Sequence, residues 1–415
     1  MQRLQLILGK KPKEVSMRFI LTLMLSVGLL ACNQQPESTA PAESKTTSPA
    51  PTATATAIEP SDTPLLGLPP LPVPTDNPQT AAKIALGDRL YHDSRFSIDG
   101  KVSCATCHNE QKAFTDHLAV SVGNNGLTGT RNAPTVLNAA FYTSQFWDGR
   151  EPELEGQSKQ PFINPVEGGL PNHEPILEIV RSDPDYRAAF TDVFGVSAEQ
   201  LTMDHVAKAI ASFERTLISG DSPFDRYYFN HDTSALTEAQ VRGFKLFLGQ
   251  GRCISCHTIE QDHALFTDNR FHNIGIGINA IQEDVPQLAT AFLQAKNQGG
   301  EVDTLVLTDK KSSELGRFAV TDNITEIGAF KTPTLRNIAL TAPYMHDGSL
   351  KTLRDVIIHY NNGGVTPASA KVNDFLSGGI RPLNLTEAQI DDLVSFLEAL
   401  TSPQIAQQTA ATPSN

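Results

Sequence analysis

The amino-acid sequence predicts a mainly α-helical protein made of two tandem units, and three observations carry that reading. A Cys-x-x-Cys-His pattern occurs at Cys104, Cys107 and His108 and again, 149 residues later, at Cys253, Cys256 and His257. The stretch ahead of each copy repeats as well: Leu86-Gly87-Asp88-Arg89-Leu90-Tyr91 and Arg242-Gly243-Phe244-Lys245-Leu246-Phe247 share Gly-x-x-Leu-aromatic. Strand-like alternation is sparse and confined to Asp303 to Leu307. The helix bearing the second repeat begins at Thr237-Glu238-Ala239-Gln240, and a closely similar start, Thr386-Glu387-Ala388-Gln389, opens an amphipathic helix ending near Leu400. Each has a good capping residue followed by acids or amides in its first turn.

At 415 residues and 40% hydrophobic, the chain can bury a sizeable core, and more than one domain is expected. The fraction is too low for a polytopic membrane protein. A formal charge of −13 argues against nucleic acid and suits a basic protein partner. Five cysteines, two close pairs and the single Cys32, do not suggest a simple disulfide framework.

The singleton belongs to a leader. Residues 1–32 hold five bases and one acid, then a twelve-residue, mostly apolar run from Phe19 to Leu30, too short for a permanent membrane span. Leu29-Leu30-Ala31-Cys32 resembles the bacterial lipobox, which implies lipid modification at Cys32. The expected location is therefore the periplasm, with the protein tethered to the membrane as a lipoprotein; Met17 is an alternative start. Without the leader, 28 bases face 45 acids, a charge of −17. Residues 33–75 are rich in Pro, Ser, Thr and Ala and read as a flexible linker. The globular units are expected over 76–233 and 234–403, with a disordered tail over 404–415.

Cys-x-x-Cys-His is the pattern of c-type haem attachment: two thiols add to the haem vinyl groups and the adjacent His binds iron. A four-cysteine zinc site would not require a His after both pairs, and a thioredoxin-like pair belongs to a βαβ setting this chain lacks. Two cytochrome c-like units are thus expected, each around its own covalently bound haem. The sixth iron ligand separates a carrier from a catalyst, because a peroxidase must leave one iron open. The chain after Cys32 has only two methionines, Met203 and Met345, and Met203 falls on a predicted helix where a core or surface role suffices. A simple pair of His/Met carriers is therefore poorly served.

Several longer stretches carry a family resemblance: Gly129-Thr130-Arg131-Asn132-Ala133-Pro134-Thr135, Phe146-Trp147-Asp148-Gly149-Arg150, Asn164-Pro165-Val166-Glu167, Lys331-Thr332-Pro333-Thr334-Leu335-Arg336-Asn337 and Leu340 to Gly348. In order and spacing, residues 76 to 403 resemble the bacterial dihaem cytochrome c peroxidase and MauG superfamily. The resemblance implies that the His108 haem is the peroxide site. It implies that Glu167, twenty residues after Trp147, is the distal acid–base group, with Gln157 and Pro161 as further distal-pocket positions. Trp147, the only tryptophan, matches the electron relay between the haems. Asn132, Thr341 and Pro343 match the surroundings of an interhaem calcium ion, the last two through backbone carbonyls.

Two positions depart from the classical peroxidases. Asn124 stands where their removable sixth ligand, a His, would fall, and His117 lies seven residues earlier. The first haem is therefore expected to be open without prior reduction. Fourteen residues after His346 comes Tyr360 in place of the usual Met, the MauG-type ligand for the His257 haem, with Met345 as the rival. The surface Trp of MauG-like members is missing: the residue six before His257 is Gly251. The expected function is reduction of hydrogen peroxide with electrons from a c-type cytochrome or cupredoxin. The alternatives are a MauG-like oxidase of a protein substrate and a pure electron-transfer dihaem cytochrome.

Overall fold

The computed structural model describes residues 64–365 and 372–411. The leader, Cys32 and the linker up to residue 63 lie outside the described residues. Among the described residues helices dominate, and the sheet is a two-stranded antiparallel pair in which Phe271 faces Lys331 and His272 faces Phe330.

The repeat in the sequence is a repeat in packing. Helix Ala81–His92 lies against helix Met203–Glu214, and helix Glu238–Leu248 against helix Glu387–Glu398. A glycine sits at each crossing: a Cβ on Gly87 would stand 1.9 Å from the Ala209 carbonyl oxygen, and one on Gly243 2.0 Å from that of Asp392. Only glycine lets the backbones approach so closely. The residues that follow in the repeat turn inward, with Leu90, Tyr91 and Phe247 buried. Thr237 and Thr386 cap the second pair, each accepting from the N–H three residues on and completing a capping box.

Two apolar cores result. The first gathers Leu86, Phe96, Tyr186 and Ile210, with Cys104 and Ala105 packed against it, and Met203 is one of its buried members. The second gathers Phe224, Phe247, Phe266 and Phe396, with Cys253, Ile254 and Met345 against it. A third cluster comes from residues 278–327.

Three expectations are corrected. Residues 64–75 are packed rather than free: Leu68 is buried, the Leu66 carbonyl accepts from the Asp221 N–H, and the Gly67 carbonyl accepts from Arg336 at 2.6 Å. Arg336 is itself buried and paired with Asp225, so its remaining N–H groups need acceptors, which Gly67 and Ala264 supply. Residues 303–307, read as strand-like, belong to helix Val302–Thr308. Val302, Leu305 and Val306 fall three and four residues apart and pack on the third cluster, so the short apolar pattern serves a helix better. The tail expected to be disordered forms helix Pro403–Ala410, and Ile405 buries itself among Phe114, Leu137 and Ala211. Asn337 helps to start this helix by accepting from the Ser402 N–H.

Replacing Gly243 with Ala should cost about 1–3 kcal/mol of stability by forcing the second helix pair apart. Denaturant unfolding of the haem-loaded protein checks this, and an unchanged midpoint would contradict the close crossing.

Candidate active site

The two motifs build two matching histidine holders. His108 closes the turn Cys104–Cys107 with its N–H on the Cys104 carbonyl, and its Nδ1 faces the Phe114 carbonyl at 3.3 Å. His257 does the same on Cys253, and its Nδ1 faces the Phe266 carbonyl at 2.8 Å. Phe114 and Phe266 both adopt left-handed backbone, with φ of 58° and 52°. Threonines fasten each holder: Thr115 donates to the Ala133 carbonyl and Thr135 to that of Ala113, while Thr267 donates to Thr332 and Thr334 to Leu265. Burial lowers the pKa of both histidines, keeping the rings neutral. A neutral ring donating from Nδ1 offers its Nε2 lone pair to a metal.

The cysteines suit neither an activated redox pair nor one shared zinc site. Burial pushes the Cys107 and Cys253 thiols up to about 12, the opposite of an activated redox thiolate. Cys104 packs on the first core and Cys253 on the second, so the two pairs do not form one zinc site. Two thiols and a metal-ready histidine in each half fit a haem in each half. Cys256, Asp268 and His272 also gather within 4.8 Å of one another. Their sulfur belongs to the second motif, which makes the cluster part of that site.

Glu167 stands out among the predicted residues. Its Oε2 is shielded from solvent and has no hydrogen-bond partner. Burial, with Asp303 adding and Arg150 opposing, pushes its pKa up to about 8. Beside it lies a partnered ion network. The Arg150 guanidinium bonds Asp148 at 3.0 Å, Gln160 at 3.2 Å and Asp303, and Arg131 bonds Asp148 at 2.6 Å. Burial alone would raise Asp148, but Arg150 and Arg131 more than offset it and hold the carboxyl well below the usual range. Gln157 ends helix Leu154–Gln157, half-buried. The Pro161 carbonyl accepts from the Gly168 N–H, next to Glu167. Asn124 is turned onto the Glu167 loop, donating from Nδ2 to the Pro165 and Glu167 carbonyls. His117 is exposed, and its Nε2 bonds the Leu340 carbonyl at 2.9 Å.

The segments carrying Trp147 and His346 cross between the halves. Trp147 accepts at its carbonyl from the Lys331 N–H, and its indole Nε1 donates to the Asn132 carbonyl, each at 2.8 Å. The His346 carbonyl in turn accepts from the Asn132 N–H at 2.8 Å. The His346 ring stacks on Phe330 at 3.6 Å, with Nε2 on Glu314. Asn132 donates from Nδ2 to Leu118, and the hydrogen bonds of His117 and His346 bring its segment to that of Thr341 and Pro343. The Asn132 amide oxygen and the Thr341 and Pro343 carbonyls are neutral oxygens, a donor type that suits a hard cation.

Tyr360 lies on the last turn of helix Leu353–Asn361. Burial raises its phenol pKa, and the nearby Cys253 and Cys256 add to the effect. Met345, at φ 76°, packs on the same core. Sequence reasoning missed the roles of Arg131, Asp148, Arg150 and Asp303. The first three lie inside quoted motifs, whereas Asp303 was hidden in a segment read as strand-like.

A family model described as di-haem cytochrome c peroxidase matches residues 81–233. The chain is 38% identical over 344 residues to a cytochrome-c peroxidase, IdrP1, of Denitromonas iodatirespirans, covering 81% of this chain and 86% of that one. It is 37% identical over 336 residues to the methylamine utilization protein MauG of Methylorubrum extorquens, covering 81% and 83%. Among solved structures, a MauG-like protein associated with microbial copper homeostasis superposes with a TM-score of 0.67 at 31% identity, covering 85% of this chain and 99% of that one. With the paired histidine holders and the isolated carboxyl in place, these likenesses are decisive: the chain belongs to the dihaem cytochrome c peroxidase and MauG family.

Proposed function

We propose that this enzyme is a dihaem peroxidase that reduces hydrogen peroxide to water with electrons from an external donor, a c-type cytochrome or a cupredoxin. The observation that carries this reading is the buried, unpartnered Glu167 carboxyl beside Arg150. Each half, 76–233 and 234–403, holds a haem through thioethers, to Cys104 and Cys107 in one and to Cys253 and Cys256 in the other. His108 and His257 are the iron ligands, Tyr360 rather than Met345 completes the second site, and Asn132, Thr341 and Pro343 serve a calcium ion. When bound, the haems supply peroxide activation at one iron and electron storage at the other.

The chain's own residues do the rest. Glu167 as carboxylate takes a proton from peroxide and returns it to the departing oxygen. The overall balance is one peroxide, two electrons and two protons giving two waters. Arg150 holds Asp303 and Asp148 beside the acid, and Gln157 and Pro161 shape the pocket. Trp147, bonded to both halves, relays electrons. Tyr360 would offer a phenolate oxygen to the second haem iron, a ligand type that favours ferric and higher oxidation states. That ligand and the identity to MauG also support a second reading, oxidation of a partner protein. Gly251 in place of a surface tryptophan counts against it. Export and lipid anchoring at Cys32 would put the enzyme in the periplasm, at the membrane.

Three outcomes are expected. The holoprotein oxidises reduced cytochrome c when peroxide is added, and Glu167→Gln lowers that rate by about 100-fold or more. Because the Glu167 pKa is raised, the base form is scarce at low pH; the peroxide rate therefore climbs with pH and levels off above about 8. Glu167→Gln should flatten this profile, and a variant with the wild-type profile would remove Glu167 from the chemistry. Cys32→Ser should move the protein from the membrane to the soluble periplasmic fraction; unchanged membrane association would refute the anchor.

A further inference from the structure

Residues 121–128 form a small closed loop, joined by the Val122–Thr128 bridge and by the Gly123 N–H on the Leu127 carbonyl at 2.7 Å. Val122 and Leu127 face solvent, whereas Asn124 between them is only 3% exposed. All its polar groups are used. The side-chain Nδ2 donates to the Pro165 carbonyl at 2.9 Å and the Glu167 carbonyl at 3.1 Å, the backbone N–H donates to the Glu167 carbonyl at 2.8 Å, and Oδ1 accepts from Asn125. Every one of these external bonds ends on the segment that carries Glu167.

The fit around the clamp is close. A Cβ on Gly123 would stand 2.0 Å from the Val166 carbonyl oxygen, and one on Gly169, at φ 73°, 2.5 Å from Asn124 Nδ2. A second loop secures the same patch: Asp99 accepts from the Asn125 N–H, and Ile98 donates from its N–H to the Gly168 carbonyl. Three loops, around 98–99, 123–125 and 165–169, are thus bonded into one unit.

We propose that Asn124 is a positioning residue that holds Glu167 in its working place in the resting protein, so that the loop need not move before peroxide is processed. This rests on the reading of Glu167 as the proton-transfer group. A histidine at position 124 would offer a ring nitrogen to a metal, whereas the amide spends both its N–H groups on carbonyls of the Glu167 segment. The amide thus fastens the 121–128 loop to the segment that carries Glu167.

Holoprotein carrying Asn124→Ala or Asn124→Asp, matched to wild type in haem content and helicity, tests this by two measurements. One is hydrogen–deuterium exchange of peptides covering 121–128 and 164–169; the other is the pH profile of peroxide reaction in oxidised protein that has not been reduced. Asn124→Ala should lose about tenfold or more of the protection in both segments, the scale of a lost buried hydrogen bond. It should also slow the peroxide reaction and move its ionisation down, as Glu167 leaves its buried place facing Asp303 and Arg150. Asn124→Asp should match it at neutral pH and regain protection in acid, where the protonated side chain can donate again. Unchanged protection in 164–169 together with a reaction that still depends on Glu167 would overturn the clamp and spare the Glu167 reading. Lost protection with a reaction indifferent to Glu167→Gln would support the clamp and overturn that reading.

Discussion

A backbone carbonyl aimed at the Nδ1 of each motif histidine is the constraint on which the rest depends. A histidine ring is useful to a metal only if its orientation and tautomer are set, and here Phe114 and Phe266 set both. To aim those carbonyls the chain accepts left-handed backbone at two phenylalanines, and the neighbouring threonines tie the arrangement to Ala133 and Thr332. The segments so tied, Asn132 to Thr135 and Lys331 to Thr334, then bond the turns at His346 and Trp147 of the opposite half. Ligand orientation and the joining of the two halves are therefore one problem with one solution, used twice.

Within that symmetric frame, asymmetry marks the chemistry. The position occupied by Trp147 in one half is occupied by His346 in the other, where the ring is stacked and paired with Glu314. Among the described residues, only beside Trp147 does such a network form: Arg131, Asp148 and Arg150 of the first half meet Asp303 of the second next to Glu167. Its charges are paired, which leaves the Glu167 carboxyl beside them without a hydrogen-bond partner at Oε2 and with a pKa pushed up to about 8. A group poised in this way can both accept and return a proton at working pH, which a fully paired carboxylate cannot do.

What was legible in the sequence is what local chemistry dictates. Two adjacent thiols and a histidine have few uses, a glycine at a helix crossing recurs because nothing larger fits, and Thr237 and Thr386 announce the helices they cap. Tyr360 was legible only through the family resemblance, which marks the fourteenth residue after His346. Asp303 was not, because its role depends on a helix of residues 302–308 meeting Arg150 from 153 positions away. Asn124 could be read as the absence of a ligand but not as a fastening, since its partners lie 41 and 43 residues on. The ordered strap at Leu66 to Leu68 and the helix at Ile405 were missed for a similar reason: one or two apolar side chains in a polar stretch matter only when a distant surface receives them.

The proposed division of labour sets an open first site, served by Glu167, against a closed second site, capped by Tyr360. The most direct measurement is electron paramagnetic resonance and magnetic circular dichroism of the resting oxidised holoprotein, with Tyr360→Phe for comparison. This division predicts one high-spin haem and one low-spin haem with histidine and tyrosinate ligation, the latter signal vanishing in the variant. Two low-spin haems in the wild type, one of them ligated by two histidines, would contradict it.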